Sequence, residues 1–346
     1  MKKSRNKPTE LLVGFALAAV FLSVHSPAFA VDDGARAYWK LRDGSHLTSV
    51  QYLFLDMQAT DSQMFDPSHF IFPNSEAEAS LFMASYAHHF TLFDRPSSMA
   101  LNLLGGSADV DINTNLLPTQ FLPPGVAAGA SLSQSATGFG DPTVQLDVNL
   151  LGTPPLVSTV DLVNYEPTWT LDAAAMLAVP IGQYDDDKLI NIGQNRFYGR
   201  LALPMKYHFG AFAPGYMTSI ELTPSVWLFD ENDDFLGRKL ENDPLWQVEG
   251  HVTHDLTRNF FGSLDLLYRR GFQSEIDGDE VGDELEVGNL GLTLNYQVTD
   301  NVTIRSSYSS NLFGDSDLDN SVVRLQFVYG WHRLDENFKK LTKHGG

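Results

Sequence analysis

Large apolar residues recur at every second position through much of the chain. Val323, Leu325, Phe327, Tyr329 and Trp331 alternate with Arg324, Gln326, Gly330 and His332, with Val328 as the exception. The same split separates Trp246, Val248, Gly250, Val252 and Leu256 from Gln247, Glu249, His251, Thr253 and Asp255. It recurs where Leu290, Leu292, Leu294, Tyr296 and Val298 oppose Asn289, Gly291, Thr293, Asn295 and Gln297. Successive side chains of a strand point to opposite faces, so this period gives each strand one oily and one wet face. The pattern predicts about 12 strands, near 47–57, 77–92, 99–106, 139–151, 168–181, 196–208, 216–229, 244–256, 260–270, 285–298, 302–312 and 322–332. Beyond residue 30, charges, Gly or Pro interrupt every apolar stretch before it reaches the length of a spanning helix.

Such strands suit either a soluble sandwich, with the apolar faces packed together, or a membrane barrel, with the apolar face on lipid. The connections separate the two. Long ones at 58–76, 107–138, 182–195, 230–243, 271–284 and 313–321 alternate with short ones at 93–98, 209–215, 257–259 and 299–301; 152–167 is the one exception. Up-and-down outer-membrane barrels have this asymmetry, with tight periplasmic turns and long external loops. Lipid cannot satisfy a sheet edge, so the sheet must close. The expected fold is all-β, an antiparallel up-and-down transmembrane β-barrel with both chain ends in the periplasm.

The chain start agrees with export. Lys2, Lys3, Arg5 and Lys7 precede an apolar run at 11–24, and Ala28-Phe29-Ala30 has the small-x-small pattern of a cleavage site. Expected boundaries are a signal peptide at 1–30, a periplasmic N-terminal segment at 31–46, the barrel at 47–333 and a basic tail at 334–346. The expected location is the outer membrane of a Gram-negative bacterium, among its lipids and lipopolysaccharide.

Composition narrows the chemistry. The chain has no cysteine, which removes disulfides, cysteine-ligated metals, thiol nucleophiles and a lipoprotein anchor. With 43 acidic and 23 basic side chains the formal charge is −20, which repels nucleic acid. More than half of the acidic residues fall in the long connections, whose basic residues are Lys188, Arg238 and Lys239. Runs such as Asp185-Asp186-Asp187 and 277–284 offer oxygen ligands for Ca²⁺ or Mg²⁺ shared with lipopolysaccharide, but the latter lacks a complete calcium-loop pattern. They are read as a solvated acidic rim, and neither a metal site nor a cofactor is expected.

The polar faces define the expected lumen wall: Asp141, Asp147, Asp172, Arg200, Lys206, Glu221, Glu249, His251, Asp255, Asp265, Arg269, Arg305 and Arg324. Mixed signs fit two states, a route for small solutes or ion pairs that stabilise a partly filled interior. His251, Asp255 and Glu249 share one strand face, but no serine motif accompanies them, so an enzyme is not expected.

Several stretches carry a resemblance: ARAYW at 35–39, TSVQYL at 48–53, GFGDPTVQLDVNLLG at 138–152, VPIGQYDDDKLINIGQNRF at 179–197 and DPLWQVEGH at 243–251. In their order the chain resembles the outer-membrane proteins named for the meta-cleavage pathway of phenol degradation. That resemblance implies transport of aromatic compounds and brings no catalytic residue. One departure is that 333–346 follow the aromatic end of the last strand, where many barrels stop.

An apolar solute needs an apolar landing place, and the connection at 107–138 offers Leu116, Leu117, Phe121, Leu122 and Val126, interspersed with Pro118, Pro123 and Pro124. This loop is expected either to form a binding ledge at the mouth or to pack at the lipid headgroups. Pro204 and Pro224, mid-strand in adjacent strands, mark a seam in the wall, a bulge or a misplaced strand boundary. The expected function is passive diffusion of small hydrophobic or aromatic compounds. A structural or interaction barrel is the alternative, and a lipid-modifying barrel enzyme a more remote one.

Overall fold

The computed structural model describes residues 33–59, 76–113, 131–188, 190–281, 284–314 and 318–332. The expected signal peptide, the apolar loop residues Leu116 to Val126 and the basic tail lie outside these.

The alternating stretches become strands in the predicted order. The first three are β1 (Ser45–Ala59), β2 (Glu76–Leu92) and β3 (Arg95–Asn113). The next barrel strand is broken at Gly140 to Pro142 into β4 (Ser131–Phe139) and β5 (Thr143–Leu151), both paired to β3. A short periplasmic helix α1 (Thr159–Val163) leads to β6 (Trp169–Ala178). Then come β7 (Tyr198–Ala202) and β8 (Met205–Phe209), two pieces of one barrel strand, and β9 (Thr218–Phe229). Outside the membrane span, β10 (Asn232–Phe235) and β11 (Arg238–Asn242) form an external hairpin before β12 (Leu245–Thr257) and β13 (Phe260–Gly271). A second external hairpin, β14 (Ser274–Ile276) and β15 (Asp279–Val281), precedes β16 (Leu285–Gln297), β17 (Val302–Gly314) and β18 (Leu318–His332).

Closure is explicit in the register. β1 pairs antiparallel with β18 from Ser45↔His332 to Ala59↔Leu318, so the described residues form a closed barrel of 12 strands with every edge satisfied. The two external hairpins join through β11 and β14 into a separate four-stranded sheet above the rim. Turn chemistry follows strand twist. Asp277 and Gly278 both take positive φ in the second hairpin, as a two-residue turn requires, and Phe93 with Asp94 does the same between β2 and β3.

The strand faces are sorted as the alternation requires. Along β12, Trp246, Val252 and Leu256 are exposed while Gln247, Glu249, His251, Thr253 and Asp255 are buried. Outward Leu264, Leu266, Leu292, Leu294, Leu325 and Phe327 continue the apolar belt. Trp169, Tyr207 and Phe209 form an aromatic patch at the periplasmic rim, and Tyr86, Tyr329 and Trp331 with His46 form another. Such girdles suit the headgroup level.

At the two prolines the wall stays continuous. Pro204 splits β7 from β8 without a change of register against β6 or β9. Each proline removes one donor, yet the Asp172 amide still donates to Pro204 O at 2.8 Å and the Leu203 amide to Pro224 O at 3.0 Å. Among the described residues of the barrel, register shifts fall instead at Asn149/Leu151, Asp255/Thr257 and Gly288/Asn289, and a strand break at Gly140 to Pro142.

One feature of the fold departs from the expected boundaries. Residues 33–44, expected as a periplasmic segment, run inside the barrel. They enter at the periplasmic edge, where the Asp43 amide donates to Leu156 O at 2.9 Å and the Gly44 amide to His89 O at 2.8 Å. Surplus carboxylates on the inner wall draw them in.

Candidate functional site

The lumen has two unlike halves. From β5 through β13 the inward residues are mostly charged or polar, a direct result of the alternation on those strands. Residues 33–42 lie against this half and occupy its charges in three groups. Deepest, Arg200 bridges Asp33 at 2.8 Å and Glu249 at 2.9 Å, and the Asp33 amide donates to Glu249 at 2.8 Å. The Tyr38 hydroxyl donates to Asp33 at 2.6 Å, and its ring packs against Ala174 and Ala202, whose small side chains leave it room. Next, Arg36 pairs with Asp255 at 2.7 Å, donates through Nε to Thr253 at 3.0 Å and through its amide to Glu221 at 2.9 Å. The Trp39 indole N–H also reaches Glu221, at 2.9 Å. In the third group, Lys40 pairs with Asp147 and, at 3.0 Å, with Asp172, which also takes Lys206 at 2.5 Å.

These groups are almost wholly buried: the side chains of Glu249 and Asp172 are 0% exposed. Removing one partner from such a pair strands a charge at low dielectric, so the contacts fix the segment to the wall even where their net contribution is small.

The other half reads differently. Along β1, β2 and β3 the inward residues are mostly apolar or small, among them Leu47, Leu53, Leu81, Met83, Ala87, Ala100 and Leu104, with Gln51 and Asn102 the polar exceptions. Here both faces of a strand are apolar, since Val50, Phe82, Tyr86, Met99, Leu101 and Leu103 are exposed on the outside. Val328, the break in the alternation of β18, belongs to this inner apolar surface. Between it and the N-terminal segment lies a cavity of about 350 Å³, bounded also by Met176, Trp227, Arg200, Arg305, Arg324 and Gln326. Its size falls within the range of small-molecule sites. Above, Ala178, Tyr198, Trp227, Leu245, Phe272, Leu285 and Val287 form an apolar cluster at the external end.

The wall positions read from the sequence have differing surroundings. Asp147, Asp172, Arg200, Lys206, Glu221, Glu249 and Asp255 bind the N-terminal segment directly or through one another. His251 Nδ1 lies 2.7 Å from Asp265, which also accepts from Ser263 at 2.5 Å and Thr293 at 2.6 Å. Arg269 donates to Gln247 at 2.9 Å and Arg305 to Asn295 at 3.2 Å. Asp141 accepts the amides of Gly182 at 2.9 Å and Gln194 at 2.8 Å, so it holds the external loop that carries the 179–197 motif. In that loop burial pulls Arg196 down to about 10, which leaves it protonated at neutral pH. On the periplasmic side burial pushes Tyr165 up to about 12, with its hydroxyl 2.9 Å from Thr153.

The residues that sequence reasoning missed are Asp33, Arg36, Tyr38, Trp39 and Lys40, together with the inward apolar row of β1 to β3. A signal for the first group existed: the polar faces between 141 and 265 carry more carboxylates than cations, and the 33–42 stretch carries cations.

Among the described residues Asp185, Asp186 and Asp187 gather their carboxylates closely enough to hold an ion, and all are exposed. No helix among the described residues is long and apolar enough to cross a membrane, so the strands alone provide the span.

A closed antiparallel barrel with an apolar belt and a polar interior defines the outer-membrane class of transmembrane barrels. Within that class, the chain belongs to the family described as "Putative MetA-pathway of phenol degradation", whose model matches residues 68–316. The fold is similar to that of the COG4313 outer membrane channel from Pseudomonas putida F1, with a TM-score of 0.64 and 19% identity over 87% of this chain and 100% of that one. The transport unit of the autotransporter AIDA-I from Escherichia coli follows at a TM-score of 0.48 and 10% identity, over 92% of this chain and 98% of that one. The TodX deltaS2S3 mutant monoaromatic hydrocarbon channel gives 0.43 and 10%, over 84% and 91%. At these identities the likeness is one of fold. A search of curated proteins finds no match.

Proposed function

We propose that this protein is a channel in the outer membrane of a Gram-negative bacterium, delivered by a cleaved signal peptide, through which small hydrophobic or aromatic compounds diffuse passively. The observation that carries the reading is the cavity of about 350 Å³ along the apolar inner face of β1 to β3. Water-filled polar pores serve apolar solutes poorly, whereas an oily wall gives them a surface on which to desolvate. Family membership and the barrel fold point the same way. No catalytic role is assigned: Glu249 and Asp255 are committed to arginines, and Ser263 donates to Asp265 rather than to His251. Leu116, Leu117, Phe121, Leu122 and Val126 are the proposed landing place at the mouth, in a setting of outer-membrane lipid and lipopolysaccharide.

The test is uptake of a panel of aromatic compounds by a deletion strain and by the complemented strain, with a water-soluble sugar as control. The channel reading expects slower aromatic uptake on deletion and unchanged sugar uptake; equal aromatic uptake overturns it. Deleting residues 116–126 is expected to slow aromatic uptake, and unchanged uptake removes the landing place alone. The filling of half the lumen by the chain itself favours one second reading, a closed structural barrel, which predicts no conductance in planar bilayers.

A further inference from the structure

The polar groups that border the cavity do not share one fate. Both carboxylates are engaged by the protein: Asp33 by Arg200 and the Tyr38 hydroxyl, Asp141 by the Gly182 and Gln194 amides. Arg36 and Arg200 pair in turn with Asp255 and Glu249. Among the uncharged groups, Asn102 donates to the Thr143 hydroxyl at 3.0 Å and Gln326 to the Ser49 hydroxyl at 3.5 Å. Gln51 differs. It borders the same cavity and is 3% exposed, yet its carboxamide has no hydrogen-bond partner among the described residues.

The strand register explains its setting. Leu47, Ser49, Gln51 and Leu53 share the inner face of β1, because alternate residues of a strand point the same way. Gln51 lies directly opposite Met83 on β2 and Gln326 on β18, and Met83 lies opposite Leu104 on β3. Leu104, Met83, Gln51 and Gln326 therefore form one row across four strands, and Gln51 stands where the apolar wall gives way to amides. Gln326 is directed to Ser49, two residues nearer the periplasm, which leaves the Gln51 carboxamide beside Leu53 and Met83. A carboxamide offers two N–H donors and an acceptor oxygen, and burying it unpaired against apolar neighbours is costly. An aliphatic side chain at 51 would continue the apolar row without that cost, so the polar atoms here mark a place for a ligand's polar group.

We propose that Gln51 is a specificity-determining residue of this cavity, which prefers an uncharged ring bearing a group that both donates and accepts a hydrogen bond, a hydroxyl or a primary amide, over a ring of the same shape without one. This proposal rests on the channel reading and narrows its substrate class. The ring lies on Leu53, Leu81 and Met83, and its polar group donates to Gln51 Oε1 and accepts from Gln51 Nε2. A bare ring buries the same apolar surface but leaves the carboxamide unpaired, which is how a site built to hydrogen-bond its ligand rejects the analogue that lacks the group. An acceptor-only ring is intermediate, since it pairs with Nε2 and leaves Oε1 without a donor.

The test uses the full chain in planar bilayers, with block of the ion current by three uncharged rings of one shape: benzamide, which donates and accepts, acetophenone, which only accepts, and α-methylstyrene, which does neither. Benzamide is expected to block at about fivefold lower concentration than acetophenone, the net worth of one further hydrogen bond. In Gln51→Met, of similar length, the benzamide concentration needed rises about tenfold while that of α-methylstyrene is unchanged or lower; Gln51→Asn, which keeps a carboxamide, retains part of the preference. Equal block by benzamide and acetophenone in a conducting wild-type channel overturns the preference and leaves the channel standing. An undiminished benzamide preference in Gln51→Met, heat-modifiable in gels like the wild type, overturns the assignment to Gln51. Absence of any wild-type conductance overturns the channel and the proposal together.

Discussion

The wall from β5 to β13 and the wall from β1 to β3 belong to one sheet, yet their inner faces have opposite fates. Where the inward residues are carboxylates and amines, the protein's own N-terminal segment covers them and the space is filled. Where they are Leu47, Leu53, Leu81 and Met83, the space remains open. A buried charge must be paired, and the nearest partner is the segment tethered to β1. An apolar wall makes no such demand. In this barrel, polarity on an inner face marks contact with the N-terminal segment and greasiness marks the open space.

That contrast can be broken at defined points. Asp172→Ala removes the carboxylate shared by Lys40 and Lys206 and is expected to cost ~3–5 kcal/mol, read from denaturant unfolding in lipid vesicles. On the outside, Leu292→Arg places a charge on the lipid face of β16 and is expected to cost ~2–4 kcal/mol in the same assay, whichever half lies behind it. Leu81→Ala trims the open half. Its side chain borders the cavity but is only 5% exposed, so the expected loss is that of a buried large-to-small change, ~2 kcal/mol or more, with a rise in single-channel conductance. The smallest effect belongs to neither half. Ser158→Ala deletes the capping box of α1, in which the Asp161 amide donates to the Ser158 hydroxyl, and is expected to cost ~1 kcal/mol with conductance unchanged.

The sequence displayed the barrel because lipid enforces alternation: Leu290, Leu292 and Leu294 must face out, and Asn289, Thr293 and Asn295 must not. Loop asymmetry then separated membrane barrel from sandwich. The open half stayed hidden for the same reason. When inward Leu53, Leu55 and Met57 alternate with outward Tyr52 and Phe54, the period of two has no contrast, and a wall list built from charged residues misses β1, β2 and β3 entirely. The N-terminal segment was misplaced because its partners lie more than a hundred residues away, as with Lys40 and Asp147. Local periodicity holds no information about such contacts; only the surplus of wall carboxylates pointed to them.

The most direct measurement uses the absence of native cysteine. Met83→Cys places a thiol on the open half, and Thr253→Cys places one beneath Arg36, whose Nε lies 3.0 Å from the Thr253 hydroxyl. Exposure of each variant in a bilayer to a charged, water-soluble methanethiosulfonate reagent is expected to modify Met83→Cys with a fall in conductance and to leave Thr253→Cys unmodified. Equal modification of both, or modification of Thr253→Cys alone, would contradict a lumen divided between a covered charged wall and an open apolar one.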